Sequence, residues 1–148
     1  MAKTLSLSAE NYSTRMLSVS RLLKAASKEV LYQAGENLAS EEFQGFVVKD
    51  LNGALSLIAE FYTQQGLGRL VMNGAETGFL LVRNYDCATC SVAQNDGQTY
   101  CWIDAGFIAG ALRKMLGTDF VVIETKCRGT GSEYCEFLIA KSRTPKRG

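Results

Sequence analysis

Histidine is absent from this 148-residue chain. Its absence excludes Ser-His-Asp and Cys-His nucleophile systems, HExxH zinc hydrolases, imidazole-ligated metals and histidine general bases. Any metal must be held by sulfur and oxygen. A long apolar run is also missing: nothing approaches the ~20 residues that a membrane span requires. Met1–Glu10 holds no apolar stretch of signal-peptide length, so the expected compartment is the cytoplasm. Charge of either sign is nearly balanced, with a formal net charge of +1, which lacks the basic excess of a dedicated nucleic-acid binder.

What is present suits one soluble domain. Hydrophobic residues make up 47% and charged residues 21%, an ordinary globular balance. A chain of this length can bury roughly 68–70% of its unfolded surface, so its core needs no staples. Five cysteines, Cys87, Cys90, Cys101, Cys127 and Cys135, all fall in the second half. An odd number cannot pair fully within one chain. In a reducing compartment, clustered cysteines bind metal more often than they form disulfides. Buried thiols acting as small hydrophobes account for one or two of them, not for five.

Hydrophobic spacing predicts a helix over Glu10–Ser40, with Leu23, Val30, Leu31, Ala34 and Leu38 on one face. Gly35 interrupts this stripe and marks either a close contact or a break. A second helix is expected over Leu51–Gln65, capped by Asp50 and ended by Gly66 and Gly68. Arg69–Asn73 and Thr77–Asn84 read as a hairpin turning at Gly74-Ala75-Glu76. A third helix runs from about Cys101 to Leu116, closed by Gly117, and its Gly106 and Gly110 allow another backbone to approach, a face that with the long N-terminal helix offers packing surface to a second copy of the chain. Asp119–Lys126 and Tyr134–Lys141 are strands joined by a short glycine-rich loop, and residues 142–148 form a frayed basic tail. The expected architecture is α+β: a single domain over 1–148, with N-terminal helices packed on a small antiparallel sheet that ends in a C-terminal hairpin.

That hairpin carries the chemistry. Glu124 is an acid in the apolar strand Phe120-Val-Val-Ile-Glu124, where an unpaired buried carboxylate is costly, and a cation is its natural partner. The hairpin brings Glu124, Cys127 and Cys135 to one end, provided the chain leaves regular strand geometry near Lys126. Cys101, at a helix start that favours thiolate, makes a good fourth ligand. A set of Cys87, Cys90, Cys127 and Cys135 is equally tetrahedral, and CxxC is the commoner zinc knuckle. Spacing alone leaves the two sets level. A redox CxxC is a third reading, but no thioredoxin-like βαβ context surrounds it.

The segments Cys101-Trp-Ile-Asp-Ala-Gly-Phe-Ile-Ala-Gly110, Val122-Ile-Glu-Thr-Lys-Cys127 and Gly131-Ser-Glu-Tyr-Cys-Glu-Phe137 resemble the 4-vinyl reductase domain family. The resemblance is strongest over Cys101–Ala140. It is weaker over Val30–Leu38. That family is named for a bacteriochlorophyll-synthesis protein, supplies aromatic-sensing domains of bacterial transcription activators, and is similar in fold to vesicle-transport particle subunits.

The resemblance implies a structural zinc on Cys101, Glu124, Cys127 and Cys135, leaving the CxxC pair without a role. It also implies an apolar ligand pocket near the metal, for which Tyr32, Phe61, Tyr62, Trp102 and Phe107 are the candidate lining, and a homodimer. Two functions follow. One is a non-enzymatic, zinc-stabilised module that binds a hydrophobic small molecule of the tetrapyrrole or chlorophyll type and assists a larger assembly such as a photosystem. The other is a reductase of a vinyl-bearing tetrapyrrole that relies on a separate electron donor, since none of the glycine clusters forms a dinucleotide fingerprint.

Overall fold

The computed structural model describes residues 27–143. The expected helix over residues 10–26 and most of the basic tail lie outside them. Helix α1 is Ser27–Glu42 and helix α2 is Leu51–Gln64. The Asp50 side chain caps α2 by accepting from the Gly53 amide at 2.7 Å, which satisfies one of the free donors of its first turn. Strands β1 (Arg69–Glu76) and β2 (Phe79–Tyr85) form the first hairpin. Helix α3 (Trp102–Leu116) ends at Gly117 in the left-handed conformation, φ 69°, and is followed by β3 (Phe120–Lys126) and β4 (Cys135–Lys141).

The sheet has the order β1-β2-β4-β3, antiparallel throughout. Its inner face presents Leu80, Val82, Val122, Phe137 and Ile139 to Ile58, Ile108, Leu112 and Met115 of the helices, and all are buried. Val121 and Ile123, which alternate with these positions, are exposed. The α+β architecture expected of the sequence is therefore present, with the cysteines gathered near the C-terminal hairpin. No helix of the described residues is long and apolar enough to cross a membrane.

Two expectations need correction. The first hairpin turns at Thr77-Gly78, later than Gly74-Ala75-Glu76. A register shift between Met72 and Gly74 inserts a bulge that lets β1 continue to Glu76, and Gly78 supplies the positive φ of the turn, 92°. The small-residue face of α3 is also not free for a second copy of the chain. It is filled by α1: a Cβ on Gly106 would lie 1.9 Å from the Tyr32 carbonyl oxygen, one on Gly35 2.1 Å from that of Ile103, and one on Gly110 2.6 Å from Glu36 Cα. The two helices meet backbone to backbone, which only glycine permits.

Candidate metal centre

Cys101 is the residue at which α3 starts, and its side chain is fully buried. Cys135 opens β4 beside it, with the two sulfurs 3.5 Å apart. On β3, Glu124 pairs with Phe137 and Lys126 with Glu136, so Thr125 is an extra residue. That bulge reverses the alternation, and both Glu124 and Cys127 are buried. This is the departure from regular strand geometry that a shared ion demands, placed one residue before Lys126. Cys127 then begins a short 3-10 turn, Arg128–Thr130, in which the Thr130 hydroxyl accepts from the Cys127 amide at 3.0 Å.

The pair left without a role by the sequence joins the same cluster. Cys87 Sγ lies 3.6 Å from Cys101 Sγ, and Cys90 Sγ lies 3.2 Å from Cys135 Sγ. The ligand atoms of Cys87, Cys90, Cys101 and Cys135 all fall within 4.8 Å of one another, as do those of Cys101, Glu124 and Cys127. The all-cysteine group contains Cys101 where the spacing argument had offered Cys127. Loop 86–100 carries the CxxC pair inward because it is tied at both ends. The Ala88 amide donates to the Leu67 carbonyl at 3.1 Å and the Gly97 amide to that of Gly129 at 2.7 Å. Neither contact could be read from periodicity.

The chemistry of this donor set fits a tetrahedral thiophilic ion. Four sulfurs at about 2.3 Å from zinc stand about 3.8 Å apart, close to the separations here. All five cysteines are free and buried. Glu124 Oε1 accepts from the Tyr100 amide at 3.2 Å, while Oε2 is buried with no hydrogen-bond partner, an orphan that a cation would satisfy. Burial, reinforced by the charge of Cys127, holds the Glu124 carboxyl well above its ordinary pKa. Burial likewise pushes up the Cys101 thiol. A hydrogen bond from Cys101 lowers Cys90 to about 5 and Cys127 to about 7. Without a cation, protons are thus shared unevenly around one compact cluster. Arg128, Glu133 and Tyr134 line a narrow crevice with Cys87, Cys90 and Cys135.

Of the five aromatic residues expected around a ligand, Phe61, Tyr62 and Phe107 pack on one another, while Tyr32 and Trp102 bond elsewhere. Phe61 stacks on Phe107 with ring centroids 5.2 Å apart, and Tyr62 meets Phe107 edge-on at 5.9 Å. The Tyr62 hydroxyl donates to buried Asp104 at 2.7 Å. The Tyr32 hydroxyl accepts from the Val122 amide at 3.2 Å, and Trp102 Nε1 donates to Thr99 at 3.0 Å. None of them lines an open cleft of about 610 Å³ among the described residues, whose walls include Leu51, Met72, Phe79, Leu116, Phe120 and Ile139, with Lys49 and Lys141. This cleft and the cysteine cluster lie toward opposite ends of β4. No sequence signal marked it, because its walls come from six separate elements.

Residues 80–141 match the vinyl-4-reductase domain. The chain carries the domain fold of that family. Uncharacterized protein MJ0150 of Methanocaldococcus jannaschii is 34% identical over 110 residues, which are 74% of this chain and 62% of that protein, so the chain spans less than two thirds of this relative. The crystal structure of a vinyl-4-reductase family protein from the same organism aligns with a TM-score of 0.61 at 18% identity, covering 87% of this chain and 78% of that one. A trafficking protein particle complex subunit 3 from Naegleria fowleri, covalently bound to palmitic acid, aligns with a TM-score of 0.72 at 16% identity, covering 94% and 98%. At these identities the likeness is one of fold, and it relates the vinyl-4-reductase domain to vesicle-trafficking subunits.

Proposed function

We propose that this chain is a non-enzymatic binding module for a hydrophobic small molecule, stabilised by a structural zinc on Cys101, Glu124, Cys127 and Cys135. The observation that carries the binding half is the open, largely apolar 610 Å³ cleft, which is within the size range of small-molecule sites. It stands apart from the cysteine cluster. The trafficking subunit of similar fold holds a palmitoyl chain, which supports an apolar ligand; the resemblance to the 4-vinyl reductase family supports a tetrapyrrole. Four protein ligands saturate zinc and leave no position for activated water, which supports a structural role for the metal. The helices before residue 80 belong to the same domain in this reading, since the fold likeness extends over 94% of the chain. Exposed Val30, Leu38, Phe46 and Val47 support pairing into a homodimer.

The test is to purify the protein from its native host and record the absorbance and mass of any co-purifying small molecule. An apolar ligand in wild type that is missing from Met72→Arg, a substitution on the partly exposed cleft wall, is the expected result. A ligand-free protein that binds no fatty acid or tetrapyrrole would sink the binding reading. A protein that consumes a vinyl tetrapyrrole when given an electron donor would favour the reductase.

A further inference from the structure

One ion does not account for the cluster. Its donors are five cysteines and Glu124, all buried, and the all-cysteine group includes Cys87 and Cys90, which the single-zinc reading leaves unused. The two groups of mutually close ligand atoms share Cys101 alone; Cys135 belongs to the all-cysteine group, and its sulfur lies 3.5 Å from that of Cys101, near the edge length of a thiolate tetrahedron. Two four-coordinate ions need eight donor positions. Six residues fill them if Cys101 and Cys135 each serve both ions, because a thiolate sulfur has lone pairs enough to bridge.

Charge does not oppose a second ion. With one divalent ion, Cys87 and Cys90 keep their protons, and three thiolates with one carboxylate leave two negative charges. Two ions on all six deprotonated donors also leave two, so the second ion gains its ligand bonds without adding buried charge. The orphan Glu124 Oε2 marks the oxygen-bearing end of the cluster. The opposite, all-sulfur end opens on the crevice lined by Cys87, Cys90 and Arg128.

We infer that the cysteine cluster is a two-ion centre. One thiophilic divalent ion is held by Cys101, Glu124, Cys127 and Cys135. A second is held by Cys87, Cys90, Cys101 and Cys135, so that Cys101 and Cys135 bridge. The inference rests on the single-zinc reading above and adds an ion to it. Both ions are closed to water, and the second fastens loop 86–100 to the start of α3 and to β4.

The experiment is native mass spectrometry of full-length protein equilibrated with Zn²⁺, with circular dichroism to confirm that each variant folds. Wild type should hold two zinc ions per chain, Cys87→Ser/Cys90→Ser one, and Glu124→Gln/Cys127→Ser one. Wild-type stoichiometry needs no variant to fold. One ion in wild type, retained by Cys87→Ser/Cys90→Ser, overturns the second site and leaves the single-zinc reading standing. One ion in wild type that is lost from that variant and kept by Glu124→Gln/Cys127→Ser overturns both assignments. No zinc in wild type does the same.

Discussion

Gly106→Ala tests the contact on which the helical layer is built. The added methyl would sit 1.9 Å from the Tyr32 carbonyl oxygen and 2.7 Å from Tyr32 Cα. Both obstacles are backbone, so no rotamer change relieves them, and α1 must withdraw by roughly an ångström or more to restore ordinary contact. Overpacking of this kind costs about 1–3 kcal/mol where neighbours can adjust, and more where they cannot. Helix propensity works in the other direction, since alanine is better than glycine in a helix interior by about 1 kcal/mol. The net expectation is a loss of roughly 2 kcal/mol, or a fall of about 4–8 °C in Tm for a protein of this size. Thermal unfolding of the metal-loaded protein measures it. Gly74→Ala is the control, because a methyl there meets nothing within 4 Å and the change should be small. If Gly106→Ala matched or exceeded wild-type stability, propensity alone would be governing and the backbone contact between α1 and α3 would be refuted.

Metal analysis should separate the cysteines by role: Cys101→Ser, which serves every ion assigned here, should lose more zinc than Cys87→Ser, and the reverse order would refute the ligand set. Chelation should lower Tm by ~10 °C or more, since structural zinc contributes several kcal/mol to folding, and hydrogen exchange should rise across residues 101–137; a protein equally stable after chelation would show the metal to be dispensable. Zinc should be released as pH falls, because protons compete for the same ligands. In metal-free protein burial holds the Glu124 carboxyl above its ordinary range, so zinc uptake at neutral pH should release protons from the ligands, and uptake with no proton release would refute ligation by these groups. Asp104 gives a test in metal-free protein. Burial raises its pKa from 3.8 to about 6, so its contribution is favourable below 3.8 and is lost as pH rises through 6. Asp104→Asn keeps an acceptor for Tyr62 and should therefore stabilise the metal-free form at pH 7 by up to roughly 3 kcal/mol. That gain should vanish below about pH 4, and a pH-independent effect would refute the assignment.

The parts of this fold that could be read in advance are those governed by local rules. The Asp50 cap, the Gly117 stop and the alternation along β3 and β4 each depend on a few neighbouring residues, and each element lies where those signals are. Glu124 stood out because an acid in an apolar strand demands a partner, and the demand survives in its orphan oxygen. What could not be read depended on distant contacts. Gly35, Gly106 and Gly110 announced a close approach but not their partner, which proved to be one another's helix. Cys87 and Cys90 lie on a loop without periodicity, and only its ties to Leu67 and Gly129 turn them toward Cys101 and Cys135. The aromatic residues Phe61, Tyr62 and Phe107 were visible as a helical pattern, and nothing in that pattern distinguishes a ligand wall from the mutual packing they adopt.

The strand order has a consequence for biosynthesis. β4 is the last of the four strands to leave the ribosome, yet it occupies the middle of the sheet between β2 and β3. Until it emerges, β2 and β3 each present an open hydrogen-bonding edge, and four of the five cysteines are already made. A nascent chain halted before Cys135 therefore holds reduced thiols and unpaired strands together, a state prone to aggregation and to capture of the wrong metal. The final strand closes the sheet and brings the last sulfur at its first residue, so ion uptake is coupled to completion of the sheet, and a chain terminated before Cys135 should neither complete the sheet nor hold an ion that this sulfur ligates.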